Sequence, residues 1–154
     1  MITLRDSIEI EAAPEKVFGW LAQRFKDREG YQAWHPDHVD LRWIKGEPLQ
    51  EGSILYAEEY LHDQLHKLKF LISKIVPNEV IEYRSLFPLS IFNPSNAFLF
   101  QPKGNNSCIF TATVSFRGGP LFKKLAKTII EATKWHMKEE GENLKSMLER
   151  KEKG

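Results

Sequence analysis

The chain has little cysteine, no excess of one charge and no long hydrophobic run. Its single cysteine, Cys108, excludes an internal disulfide bond and a zinc site built from several cysteines. The 22 Lys and Arg residues balance the 21 Asp and Glu residues, so a net charge of +1 gives no global attraction to nucleic acid or to an anionic membrane. No apolar run approaches the roughly 20 residues that a membrane-spanning helix needs. The chain also opens without an apolar signal segment, so we expect a cytoplasmic protein with no membrane span.

The remaining composition is typical of a folded domain. Hydrophobic residues make up 42% and charged residues 28% of the 154 residues. This length suits one hydrophobic core, because two domains of half the length would each lie near the lower limit for folding alone. The sequence therefore predicts a single domain over residues 1–154.

Two helical patterns enclose a series of strand-like patterns. Residues 3–12 alternate in polarity and predict a half-buried strand. A helix opens at Pro14, since proline is tolerated in a first turn, and ends within residues 26–30. An amphipathic helix begins at Pro120 and continues to about Arg150. Between the helices, further strands are predicted at about 38–44, 53–62, 66–76, 79–86, 96–102 and 107–117.

This order of elements predicts an α+β fold. Consecutive strands joined by short turns form an antiparallel sheet, and the apolar stripe of the last helix must pack against it. The order resembles the helix-grip fold of the SRPBCC superfamily, which is START-like, Bet v 1-like and polyketide cyclase-like. The resemblance implies a curved antiparallel sheet wrapped around a long C-terminal helix. It also implies an internal cavity for an apolar or aromatic small molecule.

The last helix carries two polar side chains in the middle of its apolar stripe. His136 and Glu140 are four residues apart, so both project from one face on adjacent turns. A buried carboxylate is costly unless it is paired, and a metal ion would satisfy both side chains. The alternatives are a hydrogen-bonded His–Glu pair, or a helix bend near Gly141 that leaves Glu140 in solvent.

Further metal-ligand residues lie earlier in the chain. His35 and His38 flank Pro36, which favours an extended or turn conformation and leaves open which histidine contributes. In the strand at 53–62, alternation directs Glu59 toward the core and Glu58 toward solvent. Two histidines and two carboxylates would form a plausible site for zinc, iron or manganese.

A narrower resemblance follows from three features of the sequence. These are the segment Trp34-His-Pro-Asp-His38, an acidic residue shortly before Tyr60, and the helical His136-x-x-x-Glu140. Together they resemble the 2,4-diacetylphloroglucinol hydrolase family, which binds zinc through two histidines and two glutamates. That family hydrolyses the carbon–carbon bond between an acetyl group and a phenolic ring. The resemblance implies zinc at His38, Glu59, His136 and Glu140, with Glu58 as the fallback for Glu59.

Three functional classes remain open. The first is a metal-dependent hydrolase of an acylated phenol or a β-diketone. The second is a protein that binds or transports a hydrophobic small molecule or lipid without catalysis. The third is an interaction module, which predicts a filled cavity and an exposed apolar loop at 87–95. The candidate ligand-binding residues are Tyr31, Trp34, Tyr83 and Phe87.

The basic residues at the start of the last helix do not indicate nucleic-acid binding. Lys123, Lys124 and Lys127 share one helix face, but few aromatic side chains lie among them. This pattern favours a solvated helix face, and no nucleic-acid partner is expected.

Overall fold

The chain forms an α+β domain with one antiparallel sheet. The computed structural model describes the backbone of residues 1–153 and the side chains of residues 1–150. Strand β1 (Ile2–Ile10) is followed by helices α1 (Pro14–Arg24) and α2 (Arg28–Trp34). The remaining elements are β2 (His38–Lys45), β3 (Ile54–Leu61), β4 (Gln64–Val76), β5 (Val80–Ser85), β6 (Ser95–Lys103), β7 (Ser107–Phe116), α3 (Pro120–Leu125) and α4 (Lys127–Lys153).

The sheet has seven strands in the order β1-β7-β6-β5-β4-β3-β2, and every neighbouring pair is antiparallel. The first strand therefore pairs with the last, while the strands between them follow each other as a meander. Helix α4 packs across the sheet. This arrangement confirms the predicted helix-grip fold. In the part of the chain that the structure describes, no helix is long and apolar enough to cross a membrane.

The core lies between the sheet and helices α1 and α4. Alternating positions of β1 and β7 place Ile10 and Phe110 inside, because successive strand residues point to opposite faces. Helix α1 contributes Leu21 and helix α4 contributes Met137 and Leu144 to the same cluster. Met137 and Leu144 are seven residues apart, close to two helical turns, so both lie on the sheet-facing side.

The structure differs from the sequence-based prediction at two helices. Residues 28–34 form α2, which was not predicted because Gly30 suggested the end of α1. The Asp27 carboxylate caps this helix by accepting a hydrogen bond of 2.8 Å from the Gly30 amide. The predicted helix from Pro120 is broken at Ala126 into α3 and α4. Before this break Leu121 and Leu125 are exposed, although an unbroken helical period from Pro120 would place both on the buried stripe.

Candidate metal centre and ligand cavity

An apolar cavity of about 390 Å³ lies between the sheet and α4. Its wall is mostly aromatic and aliphatic, with Phe70, Ile81, Phe98, Val114 and Ile129 among the residues that line it. The volume falls within the range of small-molecule sites in proteins. The cavity predicted for the helix-grip fold is therefore present.

Four polar side chains converge at the cavity wall from three elements. His38 begins β2 and is the register partner of Glu59 on β3, so their side chains lie next to each other. His136 and Glu140 project from α4 toward this pair, one helical turn apart. Three of the four residues line the cavity directly: Glu59, His136 and Glu140. The two carboxylates are only 15% and 12% exposed.

The distances among the converging atoms suit a metal ion. His38 Nε2 is 2.9 Å from Glu140 Oε2 and 3.3 Å from His136 Nε2, which in turn is 3.3 Å from Glu140 Oε2. Glu59 Oε2 is 3.9 Å from His38 Nε2 and 3.8 Å from His136 Nε2. Ligand atoms about 2.0–2.1 Å from a tetrahedral zinc would be about 3.3–3.4 Å apart. The ligand atoms of His38, His136 and Glu140 therefore lie close enough together to hold a metal ion, and Glu59 would have to move closer to complete a four-ligand site.

Hydrogen bonds from Tyr31 hold two of the four side chains. The Tyr31 carbonyl oxygen is 2.8 Å from His38 Nδ1, and since a carbonyl only accepts, Nδ1 carries the hydrogen. The Tyr31 hydroxyl donates to Glu59 Oε2 over 2.6 Å, and its ring stacks on the His38 ring with centroids 3.8 Å apart. In the neutral imidazole, Nε2 therefore directs a lone pair at the cluster. A hydrogen bond at the ring nitrogen that faces away from the cluster is typical of metal-ligating histidines.

His38 Nε2 faces a carboxylate oxygen of Glu140 at 2.9 Å, and in the neutral imidazole both atoms would be acceptors. Two acceptors at this distance need either a proton or a cation between them. The Nδ1 atom of His136 is buried and has no hydrogen-bond partner among the described residues. Its Nε2 faces the cluster, 3.3 Å from Glu140 Oε2 and 3.3 Å from His38 Nε2.

Electrostatic interactions within the cluster are strong. Burial raises the pKa of Glu140, but the charges and hydrogen bonds of His136 and His38 outweigh burial and hold this pKa well below its usual range. Burial lowers the pKa of His136, yet the charge and hydrogen bond of Glu140 and the charge of Glu59 raise it to about 9. Without a metal ion, the Glu140 carboxylate is an anion that attracts a positive charge. A metal ion and a protonated histidine would therefore compete for the place beside Glu140.

The cluster distinguishes between the alternatives that the sequence left open. Glu58 points to the opposite face of β3, where it accepts a hydrogen bond of 2.7 Å from the Tyr56 hydroxyl. His35 belongs to a neighbouring group with Asp37 and His136: its Nδ1 accepts from the Asp37 amide, and its Nε2 is 3.4 Å from Glu139 Oε1. The geometry thus favours His38 and Glu59 over His35 and Glu58.

The four predicted ligand-binding residues have different positions. Tyr31 and Tyr83 line the cavity. Trp34 is fully buried behind it, where its indole N–H donates to the Glu140 carbonyl oxygen over 3.0 Å and links α2 to α4. Phe87, in the loop between β5 and β6, is 79% exposed and does not line the cavity, unlike Leu89 and Phe92 of the same loop. The predictions for Trp34 and Phe87 therefore need correction: neither residue lines the cavity.

One further histidine lines the cavity. His66 on β4 is the register partner of Glu59, so both side chains point to the same side of the sheet. This register follows from the two-residue turn at His62 and Asp63, which both have positive φ values. Folding the sequence back at this turn pairs Glu59 with His66.

Comparisons with known proteins agree with the fold. A family model described as polyketide cyclase / dehydrase and lipid transport matches residues 1–149. Curated protein sequences give no match. Similar solved structures include norcoclaurine synthase from Thalictrum flavum, with 14% identity, a TM-score of 0.77 and coverage of 97% of this chain and 87% of that chain. Zhui aromatase/cyclase from Streptomyces sp. R1128 has 12% identity, a TM-score of 0.74 and coverage of 97% and 94%.

A third similar structure is the protein TTHA0849 from Thermus thermophilus. It has 16% identity, a TM-score of 0.71 and coverage of 94% of this chain and 95% of that chain. At such identities the structures show a shared fold alone. The family match and the fold confirm the resemblance to the SRPBCC superfamily, whereas the narrower resemblance to the 2,4-diacetylphloroglucinol hydrolase family stays a prediction.

Proposed function

The chain belongs to the polyketide cyclase / dehydrase and lipid transport family, and from this premise we propose that it is a zinc-dependent hydrolase of acylated phenols or β-diketones. One observation carries the proposal: ligand atoms of His38, His136 and Glu140 lie 2.9–3.3 Å apart at the wall of an apolar cavity, and Glu59 Oε2 lies 3.8–3.9 Å from the two histidines. Iron and manganese accept the same nitrogen and oxygen ligands and are the alternatives to zinc.

The four side chains would hold the metal while other cavity residues orient the ligand. Bound zinc would supply Lewis-acid chemistry, which polarises a carbonyl group or lowers the pKa of water to about 7. Tyr31 would keep His38 and Glu59 in place through its carbonyl and hydroxyl groups. These contacts would keep the metal-binding side chains in fixed orientations during a reaction.

Tyr83 is suited to bind an oxygen atom of the ligand. It lines the cavity, and its hydroxyl makes no hydrogen bond within the described part of the protein. Burial raises the pKa of Tyr83 well above its usual value, and the charges of Glu140 and Glu59 raise it further. The hydroxyl therefore stays protonated and can donate to a ligand carbonyl or phenolate oxygen. Its ring stacks on Phe98 and meets Phe70 edge-on, which leaves flat aromatic walls for a ring.

The decisive test is the metal content of the purified, untagged protein by elemental mass spectrometry. We expect about one zinc per chain in the wild type, and loss of the metal in His136→Ala and Glu140→Gln because each removes a ligand. Glu59→Gln should weaken binding, while its neighbour Glu58→Gln is the matched control and should keep the metal. A wild-type protein that neither contains nor takes up zinc, iron or manganese would refute the proposal.

Non-catalytic binding is the second candidate, favoured by the apolar wall of the cavity and by lipid transport in the family description. Hydrolysis is tested by incubating the zinc-loaded protein with acylated phenols and β-diketones and measuring release of the carboxylic acid. Release that is lost in His136→Ala would support the hydrolase. Tight binding of an apolar ligand without release would instead support the carrier.

A further inference from the structure

One long segment of the chain has no acidic residue. Residues 83–130 contain none of the 21 Asp and Glu residues, although they make up almost a third of the sequence. The same segment has six basic residues: Arg84, Lys103, Arg117, Lys123, Lys124 and Lys127. The near-neutral net charge therefore conceals a segment whose six basic residues have no acidic counterpart within it, although Lys103 pairs with Glu9, and charge complementarity points to an anionic partner.

Exposed apolar side chains are concentrated in the same segment. Four of them lie in the connection between β5 and β6, and two lie on α3. All are 46–79% exposed: Phe87, Leu89, Ile91, Phe92, Leu121 and Leu125. Exposed apolar clusters of this kind mark sites of interaction with proteins or membranes more often than ordinary solvated surface.

Direct contacts join these two segments into one surface. The rings of Phe92 and Phe122 stack with centroids 5.5 Å apart and an interplanar angle of 5°. The Arg117 amide, just before α3, donates to the Phe92 carbonyl oxygen over 2.7 Å. We call residues 87–92 and 120–127 the cavity-mouth surface, because Leu89, Phe92 and Phe122 also line the cavity. Since Leu89 and Phe92 are half exposed as well, they form the boundary between the cavity and the outside.

Lysines lie directly beside the exposed leucines of α3. Lys123 and Lys124 stand between Leu121 and Leu125 in sequence, and Lys127 follows at the start of α4. All three lysines are exposed, and none forms an ion pair with another described residue. Apolar side chains flanked by unpaired cations are typical of segments that lie in the interface of an anionic bilayer.

We propose that the cavity-mouth surface docks onto an anionic lipid bilayer. The apolar side chains would enter the boundary between headgroups and acyl chains, and the lysines would meet lipid phosphates. In this orientation the cavity opens toward the bilayer, where an apolar ligand partitions, so the ligand reaches the cavity without crossing water. An acidic protein is disfavoured as the partner because the protruding phenylalanine and leucine side chains need an apolar phase to enter. The proposal does not depend on the metal centre.

Vesicle co-sedimentation tests this proposal. Vesicles of phosphatidylcholine alone are compared with vesicles that contain about 30% phosphatidylserine. We expect the wild-type protein to sediment with the anionic vesicles, and binding to fall between about 0.1 M and about 1 M salt, because the screening length shrinks from about 10 Å to about 3 Å. Replacing Lys123, Lys124 and Lys127 by glutamine should reduce partitioning on the order of 100-fold, since each lysine near an anionic surface contributes about fivefold.

Two further variants separate charge from apolar contact. The triple variant Lys67→Gln, Lys69→Gln and Lys74→Gln changes the net charge equally, but its exposed lysines lie on β4, so it should bind like the wild type. Leu121→Ser combined with Leu125→Ser should weaken binding to anionic vesicles about 10-fold or more. Circular dichroism confirms that each variant is folded.

Three outcomes would overturn the proposal. The first is failure of the wild type to sediment with anionic vesicles. The second is equal loss of binding in the two lysine variants, which would show attraction by net charge alone. The third is binding to polyglutamate without binding to vesicles, which would identify an acidic polypeptide as the partner. The metal content of the same samples is measured as well, so that a failure of membrane binding can be distinguished from a failure of metal binding.

Discussion

Replacing Tyr31 by phenylalanine should weaken zinc binding while leaving the fold intact. The substitution removes one atom, the hydroxyl oxygen that donates to Glu59 Oε2 over 2.6 Å. The phenylalanine ring still stacks on the His38 ring, and the backbone carbonyl still accepts from His38 Nδ1. Only the hold on Glu59 is lost, so the variant isolates a single contact of the proposed metal centre.

The structure sets the size of this effect. The hydrogen bond is short and buried, and its acceptor is a carboxylate, so it contributes about 1.5–3 kcal/mol. A change of about 1.4 kcal/mol corresponds to a factor of about 10 in an equilibrium constant. We therefore expect the dissociation constant for zinc to increase about 10-fold to 100-fold, in line with other losses of contacts behind a metal ligand.

The measurement is a zinc titration against a chelator of known affinity at constant pH. Tyr83→Phe is the matched control, because Tyr83 also lines the cavity but does not hydrogen-bond to any of the four proposed ligands. Its zinc affinity should stay within about twofold of the wild type. Equal affinities of Tyr31→Phe and the wild type would refute the view that Tyr31 positions Glu59. Equal losses in both tyrosine variants would show that the cavity, rather than this contact, controls the metal.

Three further predictions concern stability and reactivity. Leu144→Ala should lower the free energy of unfolding in urea by about 2–5 kcal/mol, because this fully buried side chain leaves a cavity in the core. Gly141→Ala should raise the free energy of unfolding by up to about 1 kcal/mol, because alanine favours the helix and the added Cβ would lie 3.4 Å from Ile8 Cγ2, an ordinary contact. A free energy of unfolding below that of the wild type would show that β1 cannot adjust. Burial raises the pKa of Cys108 to about 11, so a thiol reagent at pH 8 should leave the folded protein unlabelled and react once urea unfolds it; rapid labelling of the folded protein would contradict the burial of this strand.

Strand faces and the orientation of Glu59 could be predicted from the sequence, because both depend on local alternation. The period of two residues directs Glu59 inward and Glu58 outward wherever β3 is placed in the sheet. The four-residue spacing of His136 and Glu140 similarly places them together on any helix. These local rules do not need the rest of the fold.

Features that depend on distant contacts could not be predicted in this way. The break at Ala126 has no proline or glycine within it, so the apolar period continues from α3 into α4 without a signal. The choice between His35 and His38 depends on how α2 packs, because the turn at Pro36 separates the directions of the two side chains. The short helix α2 was overlooked because Gly30 lies inside it, yet the cap at Asp27 was a usable signal.

The pairing of β1 with β7 has a consequence for folding during synthesis on the ribosome. Ile2 pairs with Phe116, so the first strand to be synthesised has no neighbour in the sheet until the last strand has emerged. Helix α4, which carries two of the four proposed ligands, follows later still. At about 5–20 residues per second, β1 waits for several seconds with its edge unpaired. We therefore expect the sheet to close only once β7 has emerged, and the proposed metal site to form only once α4 has followed.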